Sequence, residues 1–197
     1  MSLSAKITAF LVSQKIISNK DRAIYEYGFD LLISDFINFG LILMISFLSK
    51  QLSNTIIYLI VFVGLRSVCG GYHAKTHLKC HFCTVGAYIT FLALQYILKN
   101  NAALLLCGNY IAAIPIILFA PITHANKPLP NQIYRYNRIA SVIITLLLII
   151  VAFVSNQHHK KESIALSLSL WIVSSCMIPN IIKEVILGGY CYKKDSL

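Results

Sequence analysis

The run IASVIITLLLIIVAFVS, residues 139–155, contains no charged side chain. A helix must present about 20 mostly apolar residues to cross the roughly 30 Å hydrocarbon core of a bilayer. This run comes close to that length, and it lies between Arg138 on one side and a polar segment from Asn156 on the other. It therefore predicts a helix within a membrane.

Further apolar runs extend outward from this one over most of the 197 residues. The composition agrees, because 57% of the residues are hydrophobic and 12% are charged, against about a quarter charged in soluble domains. The predicted fold class is an all-α integral membrane protein, a single domain over 1–197 with about six hydrophobic helical segments. The second run is short for a full crossing, so it is a short or re-entrant element, or its helix continues into the polar stretch after it. The six apolar runs cover about residues 29–48, 52–65, 81–98, 102–120, 139–155 and 163–182.

An N-terminal segment, residues 1–24, precedes these runs. Ile7, Phe10 and Leu11 recur in it at loosely helical spacing with lysines opposite, which predicts an amphipathic helix along the membrane interface. A helix packed against the body of the protein is the alternative.

The 17 basic residues, which give a formal net charge of +10, are unevenly distributed among the connections. Thirteen lie in the N-terminal segment, in the connections after the second and fourth runs, and at the C-terminus. The positive-inside rule therefore predicts that both termini and the connections 66–80 and 120–138 are cytoplasmic. Nucleic-acid binding is not expected, because the charges are dispersed among apolar runs rather than gathered in a stripe.

The connection after the second run carries most of the candidate chemistry. Residues 66–83, RSVCGGYHAKTHLKCHFC, hold three of the six histidines and three of the six cysteines. On a continuous helix His73 and Cys80 would share a face but lie about 10 Å apart, so a direct pair needs the chain to bend. Gly70 and Gly71 indicate irregular backbone before His73. A cysteine near the start of the third apolar helix would have its thiolate favoured by the helix dipole, and a nearby imidazole would complete an activated nucleophile.

The same cluster allows a metal-binding interpretation. His73, His77 and His81 recur every four residues, and Cys80 and Cys83 interleave with them. However, HAKTH lacks the glutamate of a metalloprotease, and no second, well-separated ligand pair is evident. A metal-dependent membrane enzyme or metal-binding membrane protein is therefore the alternative to a Cys–His enzyme, and a non-catalytic membrane scaffold or exporter is a third.

A second polar connection follows the fourth run as FAPITHANKPLP, residues 119–130. Its prolines end the fourth helix and hold an extended segment. This connection is either an ordinary basic loop or a substrate contact beside the catalytic segment. One of three carboxylates near the first run could orient His73, as the third member of a catalytic triad does. These carboxylates belong to Glu26, Asp30 and Asp35.

Two sequence patterns together resemble the accessory gene regulator protein B (AgrB) family. The first is R-x6-H-x6-C, formed by Arg66, His73 and Cys80, with Gly71 two residues before the histidine. The second is an alanine–proline pair followed by K-P-L-P, within residues 120–130. The IYEYG stretch, the order of the apolar runs and the chain length extend the resemblance to essentially the whole chain.

The resemblance implies a membrane cysteine endopeptidase of bacterial quorum sensing. Such proteins cleave a propeptide, AgrD, through a thioester acyl-enzyme, and an internal cysteine or serine of the peptide then closes a thiolactone or lactone ring. By this resemblance Cys80 is the nucleophile and His73 the general base, while Arg66 and Gly71 support the loop geometry. Family members act as homodimers among membrane lipid and need neither a metal nor another cofactor.

The resemblance also assigns lesser roles and leaves some residues without one. Lys127, Pro121 and Glu26 are expected to bind substrate or to support the structure. His77 lies three residues from Cys80 and could touch it on a continuous helix, although His73 matches the family motif. The residues near the dyad that depart from the family pattern are Cys69, His77, His81 and Cys83.

Overall fold

A computed structural model describes residues 2–70, 77–122 and 130–186, together with their side chains except those of residues 77–80 and 183–186. This described part of the chain contains α-helices and no strand. The helices are α1 (Leu3–Ser13), α2 (Arg22–Ser49), α3 (Leu52–Cys69), α4 (His77–Leu98), α5 (Ala102–Phe119), α6 (Asn131–His158) and α7 (Lys160–Ile186).

Six of these helices, α2 to α7, are long and apolar enough to cross a membrane. The predicted all-α membrane class and the predicted number of apolar helices are therefore confirmed. The helix that contains the second apolar run is longer than the run itself, because α3 continues beyond residue 65 to Cys69. Its 18 residues rise about 27 Å, close to the thickness of the hydrocarbon core. This run is thus long enough for a full crossing.

The N-terminal helix is confirmed, and it is shorter than the segment that predicts it. The Ser2 side chain caps α1 by accepting a hydrogen bond from the backbone N–H of Ala5. Ser4, Ala5 and Thr8 are buried on the face of α1 that packs against α2, whereas Phe10 remains 61% exposed. Small side chains therefore mediate the packing of α1 on α2, while the larger Leu3 and Phe10 are exposed.

The described helices divide into two groups by their contacts. The first group holds α1, α2 and residues 77–86 of α4, and the second holds α3, the rest of α4 and α5 to α7. In the second group α7 packs against α3, α5 and α6, and it is the most buried of the six apolar helices.

The contact between α5 and α7 is fixed by one aromatic ring and two hydrogen bonds. Asn109 of α5 donates from Nδ2 to Ser167 Oγ at 2.9 Å, and it accepts at Oδ1 from Trp171 Nε1 at 3.0 Å. The Trp171 ring lies directly over Gly108, where a β-carbon would collide with it. Because a small residue lets two membrane helices approach closely, Gly108 creates the space that this ring occupies.

We expect the substitution Gly108→Ala to destabilise the protein by about 1–3 kcal/mol, because the added methyl group forces Trp171 or α7 to move. Thermal unfolding in detergent would measure the loss. Trp171 is the only tryptophan, so its fluorescence reports on the altered contact directly. Gly64→Ala is the matched control, because that α3 glycine has open space around it. Equal unfolding temperatures for the two variants would contradict the proposed steric conflict.

Candidate active site

The end of α3, just before the motif histidine, has a backbone conformation that only glycine adopts readily. Gly70 has φ of +71° and ψ of −165°, so the helix stops at Cys69. A β-carbon on Gly70 would collide with the carbonyl oxygen of Ile122. The irregular backbone expected before His73 is therefore confirmed at Gly70.

The segment that follows α5 is bonded to this helix end. The backbone N–H of Ile122 donates to the carbonyl of Cys69 at 2.9 Å. Ala120, Pro121 and Ile122 are buried, and the Ala120–Pro121 peptide bond is cis. Pro121 is thus part of a packed wall where the second polar connection leaves α5.

Arg138, in the second turn of α6, holds the same wall from the other side. Its Nη1 donates to the carbonyl oxygens of Leu118, at 3.1 Å, and Ala120, at 2.9 Å. These carbonyls lie at the C-terminus of α5, where helix geometry leaves them without intrahelical partners. We call Cys69, Gly70, Ala120, Ile122 and Arg138 the loop base. It joins the starting points of the two connections predicted to be cytoplasmic.

Arg66 and Glu26 have different surroundings. The Arg66 guanidinium lies over the Phe62 ring, with Cζ 5.3 Å from the ring centroid, one turn before the end of α3. Arg66 is therefore oriented by α3 itself. Glu26 lies near the start of α2, 4.0 Å from Arg22 in an i,i+4 pair between partly exposed side chains. Such a pair contributes little to stability.

The proposed dyad lies only partly within the described residues. Cys80 is in the N-terminal part of α4, as expected of a helix start, but its side chain is outside the described set. His73, Gly71 and Lys127 fall outside the described residues altogether. Their assignments remain predictions.

His81, which follows Cys80, has a specific environment that sequence reasoning missed. Its Nδ1 lies 2.7 Å from Asn38 Oδ1, and its Nε2 lies 3.5 Å from Ser34 Oγ. Because an amide oxygen only accepts, Nδ1 is the donor in the shorter contact. A signal existed in the sequence, since Ser34 and Asn38 are polar residues spaced four apart within an apolar run and thus share one helix face.

The contacts of His81 are relevant to the hypothesis that the histidines and cysteines of residues 73–83 bind a metal. Both ring nitrogens of His81 face groups on α2 rather than another candidate ligand. Among the described residues, no group of three His, Cys, Asp or Glu side chains is arranged to hold a metal ion. The remaining candidate ligands of the cluster, except Cys83, have side chains outside the described set.

Comparison with known proteins decides the family. The family described as accessory gene regulator B (AgrB) matches residues 4–178, which is most of the chain. The chain belongs to the AgrB family. The predicted resemblance is therefore confirmed.

Similar proteins come from enterococci and staphylococci. Protein FsrB of Enterococcus faecalis (strain ATCC 47077 / OG1RF) is 30% identical over 176 residues, which are 85% of this chain and 69% of FsrB. Accessory gene regulator protein B of Staphylococcus saprophyticus is 23% identical over 183 residues, which are 90% of this chain and 94% of that protein. The protein of the same name from Staphylococcus haemolyticus is 26% identical, over 75% of this chain and 70% of its own length. No solved structure matches the chain.

Membership of the AgrB family supports a role in accessory gene regulation. The six apolar helices fit a multi-pass membrane protein of this family. The AgrB match also includes the loop base and the segment with His73 and Cys80.

Proposed function

We propose that this AgrB-family chain is a membrane cysteine endopeptidase that cleaves an AgrD-type propeptide in quorum sensing. Cys80 is the nucleophile and His73 the general base. The observation that carries the proposal is the motif Arg66, His73, Cys80 in a chain whose family is established. The positions of the motif residues relative to the helices support the proposal, because α3 ends before His73 in the sequence and α4 already includes Cys80.

The reaction proceeds in two acyl transfers. His73 takes the proton of the Cys80 thiol, and the thiolate attacks the carbonyl carbon of the scissile peptide bond. When the tetrahedral intermediate collapses, the C–N bond breaks, His73 returns the proton to the leaving amine, and a thioester remains on Cys80. An internal cysteine or serine of the peptide then attacks this thioester, forms a thiolactone or lactone, and releases the Cys80 thiol. No metal or other cofactor is needed.

The position of Cys80 in α4 favours this chemistry. The unpaired N–H groups and the positive end of the helix dipole lie at the N-terminus of a helix, where they stabilise a thiolate. A site sheltered from water also protects the thioester, so that the peptide's own nucleophile reacts before hydrolysis.

The loop base supports the assignments of residues near its two connections. It holds the start of the segment with His73 beside the start of the segment with Lys127. We assign Lys127 to substrate contact, Pro121 to the wall of the site, and Arg66 and Gly71 to support of the His73 segment. Glu26, near the start of α2, is assigned to substrate contact or to support of the structure.

The membrane arrangement is part of the same proposal. The excess of basic residues in alternate connections supports a cytoplasmic position for both termini and for the catalytic segment. There the propeptide can lie on the inner leaflet and reach the site from the membrane surface. The working form is a homodimer surrounded by lipid.

Trapping the acyl-enzyme tests the proposal. The chain is co-expressed with its neighbouring AgrD-type propeptide, in which the ring-closing cysteine or serine is replaced by alanine so that the thioester cannot resolve. Intact mass spectrometry should show the protein carrying the N-terminal part of the propeptide, and hydroxylamine should remove it. Cys83→Ala should retain the adduct, because this exposed thiol is not the nucleophile. Cleavage by a Cys80→Ala variant, or an adduct that maps to another cysteine, would refute the assignment.

A further inference from the structure

His81 has a more constrained environment than a bystander on the surface of a membrane helix. Its partners Asn38 and Ser34 are 2% and 6% exposed, and they lie one turn apart on α2. Polar side chains within an apolar span are costly unless they are paired. The contact of 2.7 Å between His81 Nδ1 and Asn38 Oδ1 supplies such a pairing.

The position of His81 in α4 links this contact to the nucleophile. Residues 80 and 81 are successive residues of α4, so their Cα atoms lie about 100° apart around the helix axis. A contact that holds the His81 side chain against α2 therefore limits the rotation of this part of α4 about its axis, and with it the position of the Cα of residue 80. A rotation of about 20° displaces a Cα by about 0.8 Å, and displacements near 1 Å cost on the order of 100-fold in rate when a reacting group must be aligned.

We propose that His81 is a positioning residue for Cys80. It donates from Nδ1 to Asn38 and, more weakly, contacts Ser34 through Nε2, and it thereby holds the N-terminal part of α4 in one rotation against α2. This inference rests on the proposed function, because it gives His81 its role through Cys80. His81 itself neither touches the substrate nor transfers a proton.

The roles of the two ring nitrogens of His81 can be tested separately by substitution. Nδ1 is attached to Cγ, as is the amide nitrogen of asparagine, so His81→Asn retains a donor close to the position that faces Asn38. His81→Leu removes both nitrogens and retains an apolar side chain. If His81 positions Cys80, the His81→Asn variant should retain most of the activity that the His81→Leu variant loses.

The test uses the purified full-length chain in nanodiscs with its full-length AgrD-type propeptide. His81→Leu should lower kcat about 10- to 100-fold and leave KM within about twofold, because the substrate still binds while Cys80 is misaligned. His81→Asn should remain within about threefold of the original kcat. Phe82→Leu is the control, because Phe82 is the next residue of α4 and is 77% exposed. Trp171 fluorescence verifies that each variant is folded.

A double-mutant cycle and a chemical probe complete the test. In an Asn38→Leu background, adding His81→Leu should lower kcat by less than about twofold, since the contact is already lost. In a variant whose only cysteine is Cys80, His81→Leu should change the rate of alkylation by iodoacetamide at least threefold, while His81→Asn should not.

The results of these experiments distinguish a failure of the positioning role of His81 from a failure of the proposed peptidase function. Additive losses in the cycle, or equal kcat for His81→Leu and the original chain, would refute the positioning role. Equal losses for His81→Asn and His81→Leu would also refute it. If Cys80→Ala still cleaves the propeptide, the proposed function fails instead, and the alkylation rates alone then decide whether His81 controls the environment of Cys80.

Discussion

Substitution of Cys80 by alanine should abolish cleavage of the propeptide, with a loss of at least about a thousandfold in kcat. Removal of a covalent nucleophile eliminates the acyl-enzyme route, and losses of this size or larger are typical when the group that forms the covalent intermediate is deleted. Initial rates of release of the C-terminal propeptide fragment, measured by mass spectrometry with purified protein, give the effect. The variant should still bind the propeptide, because alanine alters only the reacting atom.

Substitutions of neighbouring histidines and cysteines test whether the loss of cleavage is specific to the proposed dyad. His73→Ala should lower kcat by about 10² to 10⁴, the usual contribution of a general base, whereas His77→Ala should have little effect. Cys83→Ala is the matched cysteine control on the same helix, since Cys83 is exposed three residues further along α4. A larger loss for His77→Ala than for His73→Ala would transfer the role of base to His77.

Substitution of Gly70 by alanine should lower activity strongly although Gly70 lies outside the dyad. The residue combines a φ of +71° with a contact in which a β-carbon would collide with the Ile122 carbonyl. Alanine in this backbone conformation costs about 1–3 kcal/mol. Relief of the collision also requires residue 70 or the Ile122 carbonyl to move, beside the hydrogen bond from the Ile122 N–H to the Cys69 carbonyl. We therefore expect kcat to fall at least about tenfold, because the segment that carries His73 starts at this glycine.

The readout for Gly70→Ala should separate activity from folding. Propeptide cleavage and thermal unfolding would be measured on the same preparation, beside Gly64→Ala, which adds the same methyl group to an open position of α3. The control should retain activity. Full activity in Gly70→Ala would show that the loop base does not control the site.

The sequence predicted the helices well because membranes restrict the alternatives. In hydrocarbon every backbone N–H and C=O must be paired within the segment, so apolar runs become helices and their number can be read from hydropathy. The same rule explains why α3 continues to Cys69. Arg66 and Cys69 do not extend an apolar run, but the helix ends only at Gly70, where the backbone leaves the helical region.

The contacts between helices could not be predicted in the same way. Arg138 was identified only as one positive charge in a basic connection, yet it caps α5 by donating to the carbonyls of Leu118 and Ala120. The pairing of His81 with Asn38 joins residues 43 positions apart. Such pairs depend on which helix faces are neighbours, and hydropathy along one chain contains no direct information on that.

The packing of α7 has a consequence for how this protein can vary. Ser163, Ser167 and Ser174 are almost fully buried on a helix that contacts three others. Close helix approach depends on the small volume of such residues more than on their hydroxyl groups. Substitution by alanine should therefore be tolerated at Ser174. At Ser163 and Ser167 the hydroxyl group also matters, because Ser163 donates to the Ala152 carbonyl and Ser167 accepts from Asn109. Substitution by leucine should be tolerated at none of the three positions. Over evolutionary time α7 would then diverge under a limit on side-chain volume, whereas exposed positions of α6 such as Ile143 and Leu147 carry no such limit.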